Sequence, residues 1–310
     1  MPIQGSTVSP GVMPTAHDLA PFATVLACPV CRAPLGGGEG CRGCGREFSR
    51  SEHGQLDFRP AGRTLLRHEA DYEPTFGRFP WEKVTLEWPD LGFAPDPGPG
   101  AEIVERHLLA AVPRAEQKGA IALDIGCGPD RQRFRHGLGS LGYCALGLDI
   151  AGPAPDALAD AHQLPVRDAS IDLLMTSAVW EHLKHPWIAM AEAARVAKPG
   201  AAFVGAVAYN EPFHISYFHH SPLAVYELLE STGFDVGTVV LSDTYWAGYA
   251  HLDMGYVGLR IPRVLHGVLA GAIRQLALFP ATLKGQRQRG RLAFARSHSA
   301  AVGFLARRRG

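Results

Sequence analysis

The stretch Ile121-Ala-Leu-Asp-Ile-Gly-Cys-Gly128 decides the fold. Its first five residues are apolar except for Asp124 and run straight into two glycines. A short apolar run closed by a turn reads as a buried strand of a parallel sheet. Gly126 and Gly128 let the backbone bend sharply and let a ligand approach with no side chain in the way. A second apolar strand, Ala145-Leu-Gly-Leu-Asp149, ends in another acid. A carboxylate about 20 residues beyond a glycine turn is placed to take a ribose diol. The direct inference is a nucleoside-bearing cofactor on a doubly wound α/β sheet.

Two cofactor classes share that geometry. A dinucleotide site carries G-x-G-x-x-G, with a pyrophosphate on the helix N-terminus. Here the turn is Asp124-Ile-Gly-Cys-Gly-Pro-Asp130, with acids on both sides. Carboxylates there repel a pyrophosphate and suit a cationic amino-acid end. The D-x-G-x-G turn resembles motif I of the class I S-adenosylmethionine-dependent methyltransferases, of the methyltransferase type 11-like kind. It departs at 130, where many members carry a third glycine and this chain has Asp.

Downstream segments resemble the same family in the same order. Asp156-Ala-Leu-Ala-Asp160-Ala-His-Gln-Leu-Pro165 reads as a third strand ending in Asp160, and Ser170-Ile-Asp-Leu-Leu-Met175 as the fourth. The loop Ser177-Ala-Val-Trp-Glu-His-Leu-Lys-His-Pro186 follows, then Arg195-Val-Ala-Lys-Pro-Gly200 and a fifth strand over 201–208. Ser221 and Pro222 cap and open a helix running to Ser231, and Phe234 to Leu241 is the sixth strand. The seventh is placed at 300–305, after a helical insertion over 244–297. The resemblance implies a Rossmann-like, doubly wound, seven-stranded methyltransferase sheet over 101–310. It implies S-adenosyl-L-methionine as cofactor, held by Asp124, Gly126, Cys127, Gly128, Asp149, Ile150, Asp160, Ala161 and Ser177.

Near the N-terminus stand Cys28-Pro-Val-Cys31 and Cys41-Arg-Gly-Cys44-Gly45. Two Cys-x-x-Cys knuckles set four thiolates on one tetrahedral ion, and a Zn2+ with four protein ligands is structural. A segment this short needs the metal to fold. Residues 26–60 are therefore expected as a zinc ribbon, with Cys28, Cys31, Cys41 and Cys44 as ligands, resembling the small ribbons attached to some methyltransferases. Residues 1–25 are expected as a flexible lead-in and 61–100 as a connector whose aromatics, Phe79 and Trp81 among them, dock the ribbon or, as the rival reading, cover a substrate pocket.

The 310 residues carry zero formal net charge, unevenly spread. After Asp253 there are 11 Arg and Lys and no acid. Ile261, Leu265, Val268, Ala272 and Leu276 recur at helical spacing in that region. The readings for it are a lid or dimer helix, a peripheral membrane contact through 261–296, or nucleic-acid binding. The apolar stretch 264–283 is interrupted by His266, Arg274, Gln275 and Pro280, so no spanning helix is expected. No basic, apolar leader is evident, and the cysteine usage fits a reducing cytoplasm.

Methyl transfer to a hydroxyl needs a base near the acceptor. His214, His219 and His220 follow the fifth strand on the crevice side, and His214 is the catalytic candidate, with substrate binding or plain packing as the rival role. His182 is assigned a structural or cofactor-pocket role. The expected function is methylation, most simply O-methylation, of a small-molecule or glycan-type acceptor in biosynthesis. One rival is an RNA methyltransferase that uses the ribbon and the basic region. Another is a non-catalytic scaffold of the same fold.

Overall fold

The structure is a computed structural model describing residues 19–35, 39–59, 79–86, 107–128, 132–211, 215–253 and 262–310. Its strands are β1 (Val84–Thr85), β2 (Ile121–Ile125), β3 (Cys144–Asp149), β4 (Ala157–Leu158), β5 (Ile171–Ser177), β6 (Ala197–Ala208), β7 (Phe234–Leu241) and β8 (Ala301–Arg308). They form one sheet in the order β1-β7-β8-β6-β5-β2-β3-β4. All neighbours are parallel except β8, which runs antiparallel to both β6 and β7. The order reverses between β2 and β5, which places the ligand crevice outside their carboxyl ends.

Two expectations are corrected here. The sheet has eight strands among the described residues, not seven, because Val84 and Thr85 of the connector pair with Val239 and Val240. That short strand covers an edge that would otherwise present unpaired backbone. The strand expected to end at Asp160 stops at Leu158. Asp160 instead accepts the His162 backbone N–H at 2.9 Å, a local turn that removes the segment from the ladder.

Alternation along the strands splits the core into two layers. Leu123, Ile125, Leu146, Leu148 and Leu174 face one layer, and Ala122, Ala145, Leu173 and Met175 the other. At the centre Gly205 admits Phe304 and Thr176, since a Cβ there would lie 2.4 and 2.7 Å from their side chains. Helices α1 (Gln132–Ser140), α2 (Pro186–Val196) and α3 (Pro222–Ser231) cover the sheet. Both α2 and α3 open on a proline, whose missing N–H costs nothing in a first turn. The Ser221 hydroxyl caps α3 by accepting the Ala224 N–H at 3.2 Å.

Between β7 and β8 come α4 (Ala247–Asp253), α5 (Arg263–Leu283) and α6 (Arg287–His298). Buried Asp243 pins them, receiving Arg291 through two bonds of 2.6 and 3.1 Å with Arg274 at 3.6 Å. The apolar line read from the sequence faces outward among the described residues: Leu265, Val268, Ala272 and Leu276 are exposed. The buried side of α5 is His266, Ala270 and Leu278, with Ala270 and Leu278 packed in the Trp246–Phe294 cluster.

The segment around the cysteines lies along the β4 edge. Phe58 N–H donates to Leu158 O and Leu158 N–H to Leu56 O, while Ala27 N–H donates to Pro165 O. Gln55, fully buried, donates to Gly152 O and Pro155 O. The connector aromatics dock elsewhere than expected. Phe79 packs on Trp81 and on Tyr226 of α3, and Arg296 of α6 stacks 3.4 Å over the Trp81 ring.

Candidate functional site

Three acids gather at the carboxyl ends of adjacent strands. Asp124 lies in β2, Asp149 ends β3 and Asp160 follows β4. Backbone bonds fix their loops to one another: Gly126 and Cys127 N–H both donate to Leu148 O, and Ala159 N–H to Asp149 O. The Asp149 carboxylate closes the glycine turn, its Oδ2 accepting Gly128 N–H at 2.8 Å and its Oδ1 accepting Ile150 N–H at 2.7 Å. Gly126 and Gly128 both take positive φ, and a Cβ on Gly128 would point into open space. The next strand end carries Ser177, followed by Ala178 at φ 55°, a left-handed conformation rare for alanine. Thus the sequence-assigned residues from Asp124 to Gly128, with Asp149, Ile150, Asp160, Ala161 and Ser177, share one end of the sheet. Pro129 and Asp130 lie outside the described residues.

Asp124 is 4% exposed, and its Oδ1 is buried without a hydrogen-bond partner among the described residues. Burial, together with the nearby Asp149 and Asp156 carboxylates, pushes its pKa up to about 7. The same causes raise the buried Cys127 thiol. In the unfolded chain Asp124 titrates near 3.8, so between about pH 4 and 7 the folded state binds the extra proton. Its contribution to stability is therefore present below pH 4 and is lost as pH rises through about 7. Glu181, raised by burial to about 7 from 4.5, adds the same sign. The melting temperature of the ligand-free protein should fall between pH 5 and 7.5, and Asp124→Asn should flatten that slope; an unchanged slope would refute the assignment.

Asp160 has a feature that sequence reasoning missed. His162 donates its backbone N–H to Asp160 Oδ1 at 2.9 Å, and its ring Nδ1 lies 2.6 Å from the same oxygen. The His162 Nε2 accepts the His185 N–H at 3.2 Å, so the neutral tautomer carries its proton on Nδ1 and donates to Asp160. Burial alone would raise the Asp160 pKa, but the His162 bonds outweigh it and hold the carboxyl below its ordinary value. Asp156 was also missed as more than a strand start. Buried at 2% exposure, it accepts Gly147 N–H at 2.9 Å and faces Arg135 at 3.1 Å. The Asp156 role leaves no spacing signal, because its partners come from other turns of the chain, whereas Asp160 and His162 stand at the i, i+2 spacing of a local Asx turn.

Of the histidines, His214 lies outside the described residues. His219 Nδ1 sits 3.0 Å from Tyr209 O, and His220 is buried with a pKa held low by that burial. Beside them, Glu181 Oε1 accepts Ala208 N–H at 3.0 Å, and Tyr217 and Phe218 N–H both donate to Glu181 O. His182 ends the one-turn helix Trp180–His182.

Four sulfurs meet in the N-terminal segment. Cys28, Cys31, Cys41 and Cys44 offer Sγ atoms all within 4.8 Å of one another, with Cys28–Cys44 at 3.7 Å and Cys31–Cys41 at 3.3 Å. These separations are too long for disulfides. They suit thiolates on one tetrahedral Zn2+, whose Zn–S length of about 2.3 Å sets sulfurs about 3.8 Å apart. The knuckles match: Arg32 and Gly45, each just after a second cysteine, take φ of 61° and 70°. Gly43 is needed where it stands, since a Cβ would come 2.7 Å from Ala33 and 3.3 Å from Cys31 Sγ.

Comparison with known proteins agrees with this geometry. Residues 123–205 match the methyltransferase domain family Methyltransf_11. A 37.1 kDa protein of transposon TN4556 from Streptomyces fradiae is 31% identical over 168 residues, covering 47% of this chain and 46% of its own. An uncharacterised methyltransferase of Mycobacterium ulcerans (strain Agy99) is 32% identical over 116 residues, covering 34% and 45%. The chain thus spans less than half the length of these relatives. Among solved structures, an S-adenosylmethionine-dependent methyltransferase from Mesorhizobium loti aligns with TM-score 0.40 and 17% identity, over 67% of this chain and 98% of that one. Phosphoethanolamine N-methyltransferase 2 of Haemonchus contortus, solved with S-adenosyl-L-methionine, aligns with TM-score 0.40 and 16% identity, over 63% and 50%. The family match lies across β2 to β6, so residues 123–205 carry a methyltransferase domain, and Asp124, Asp149 and Asp160 all fall within it.

Proposed function

We propose that the protein binds S-adenosyl-L-methionine at this crevice and transfers its methyl group to a hydroxyl of a small-molecule or glycan-type acceptor. The observation that carries the reading is the buried, partnerless Asp124 Oδ1 beneath an open glycine turn, with Asp149 and Asp160 on the neighbouring loops. A partly protonated carboxyl at that place becomes ionised when a cationic ligand arrives, which suits an amino-acid and sulfonium end. Asp149 holds the ribose diol and Asp160 the adenine amino group, with Ile150, Ala161 and Ser177 walling the site. The cofactor supplies an activated methyl and its own leaving group. What remains for the chain is to align the acceptor oxygen, exclude water and take one proton. His214 is assigned that proton from its place after β6.

In this reading 26–60 is a ribbon around a structural Zn2+, 61–100 a connector, and 101–310 the catalytic domain with its insertion at 244–297. A thiolate site of this kind suits a reducing, cytoplasmic setting. The test is calorimetric titration of the purified protein with S-adenosyl-L-methionine and, separately, NAD. Micromolar binding of the first alone is expected, followed by turnover in a screen of hydroxylated metabolites and glycans. Binding of NAD alone, or of neither, would overturn the cofactor assignment.

A further inference from the structure

Among the described residues the outer face of α5 is uncovered and almost wholly apolar. Val268, Leu276, Phe279 and Leu283 are 69, 74, 57 and 72% exposed, and Leu265 and Ile273 lie beside them at 47 and 42%. Contiguous apolar surface on this scale marks an interaction site. Charge identifies what it meets. Of the cations after Asp253, Arg291 and Arg274 face Asp243, Arg296 stacks on Trp81, and Arg307, Arg308 and Arg309 bond to the sheet or to α2 and α3. Arg260 and the Arg263 side chain lie outside what is described, which leaves Lys284, Arg287 and Arg289, exposed in and after the turn that ends α5, with no acidic partner among the described residues. Next to them opens a cavity of about 530 Å³ lined by Asp243, Arg274, Arg287 and Arg291. Asp243 neutralises only one of those three guanidiniums.

We infer that α5 lies flat on an anionic lipid surface, its apolar face in the acyl boundary and the Lys284–Arg289 turn on the headgroups. An apolar helix face with Lys and Arg at its margin is the pattern of an interfacial helix. No helix among the described residues is long and apolar enough to cross a membrane, so the contact is peripheral. The position has a consequence for the site. The insertion leaves β7 at Leu241 and returns at Ala301 beside Ala208, the end of the sheet where the crevice opens.

The test uses the full chain in flotation with vesicles of phosphatidylcholine alone or with 30% phosphatidylglycerol. Binding to the anionic vesicles should exceed that to neutral ones at least tenfold and weaken in high salt. Charge reversal at Lys284, Arg287 and Arg289 should remove that preference, a loss of at least tenfold in binding to the anionic vesicles. Leu276→Asp with Phe279→Asp, on exposed positions that leave the fold intact, should also abolish flotation. Equal binding to both vesicles, or none, would overturn the proposal. So would a dimer in light scattering that Leu276→Asp dissociates, or anion-dependent retention on RNA without flotation.

Discussion

Asp149→Ala should weaken S-adenosyl-L-methionine binding by roughly 100-fold or more while the protein still melts cooperatively. The Asp149 carboxylate is already engaged without a ligand. Its two oxygens close the glycine turn on Gly128 N–H and order the next turn through Ile150 N–H. Each retains acceptor capacity for a ribose hydroxyl. A hydrogen bond to a charged group is worth about 1.5–3 kcal/mol, and two of them account for the stated loss. Alanine also leaves Gly128 N–H without its acceptor, so the turn that approaches the cofactor loosens. The fold survives because Asp149 is the last residue of β3 and lies outside the apolar core. Asp149→Asn separates the two effects, since an amide oxygen can still accept one bond; it should lose about tenfold. Calorimetry measures both variants, and parental affinity in the alanine variant would sink the site.

What the sequence conveyed well was whatever depends on neighbours in the chain. β2 and β7 fall where the apolar runs 121–125 and 234–241 place them, and α3 occupies 222–231 between its serine cap and its glycine stop. The first two strands around motif I were legible for the same reason: Asp124 and Asp149 stand at the carboxyl ends of their apolar runs. What it did not convey depended on contacts made late. The stripe Leu265-Val268-Ala272-Leu276 has the period of a helix, but period gives a face and not the side that is covered. Covering was decided by Trp246 and Phe294, which took Ala270 and Leu278 instead. Likewise, no spacing rule could place Arg296 over Trp81 or join His162 to both Asp160 and His185. The four-cysteine cluster was legible as a ligand pattern, whereas the fusion of its segment to the β4 edge was not.

That fusion gives the largest expected effect on stability. Replacing Cys28 and Cys31 with Ser should strip the metal, unfold the ribbon and lower cofactor affinity at a distance. Removing two of four thiolates leaves too few ligands for a structural zinc, whose binding contributes about 10–16 kcal/mol to folding in isolated fingers. The ribbon then releases both cofactor loops, because its bonds fall on them. Arg59 donates to Ile150 O, Gln55 to Gly152 O and Pro155 O, and Gln163 to Pro29 O. Ala27 N–H and Phe58 N–H hold Pro165 O and Leu158 O on either side of Asp160. Phe48 and Phe58 belong to the same buried cluster as Leu148 and Leu164, so the loss reaches the core of the sheet edge. Three readouts follow. Elemental analysis should give one zinc per parental chain and none in the variant. Hydrogen exchange should speed up over 150–167 while the β5–β6 centre stays protected. Affinity for S-adenosyl-L-methionine should fall at least tenfold, and chelation of the parental protein should reproduce both changes. Zinc retained by the variant would refute the four-thiolate site. Metal lost with exchange over 150–167 unchanged would show that the ribbon folds beside the cofactor loops without bracing them.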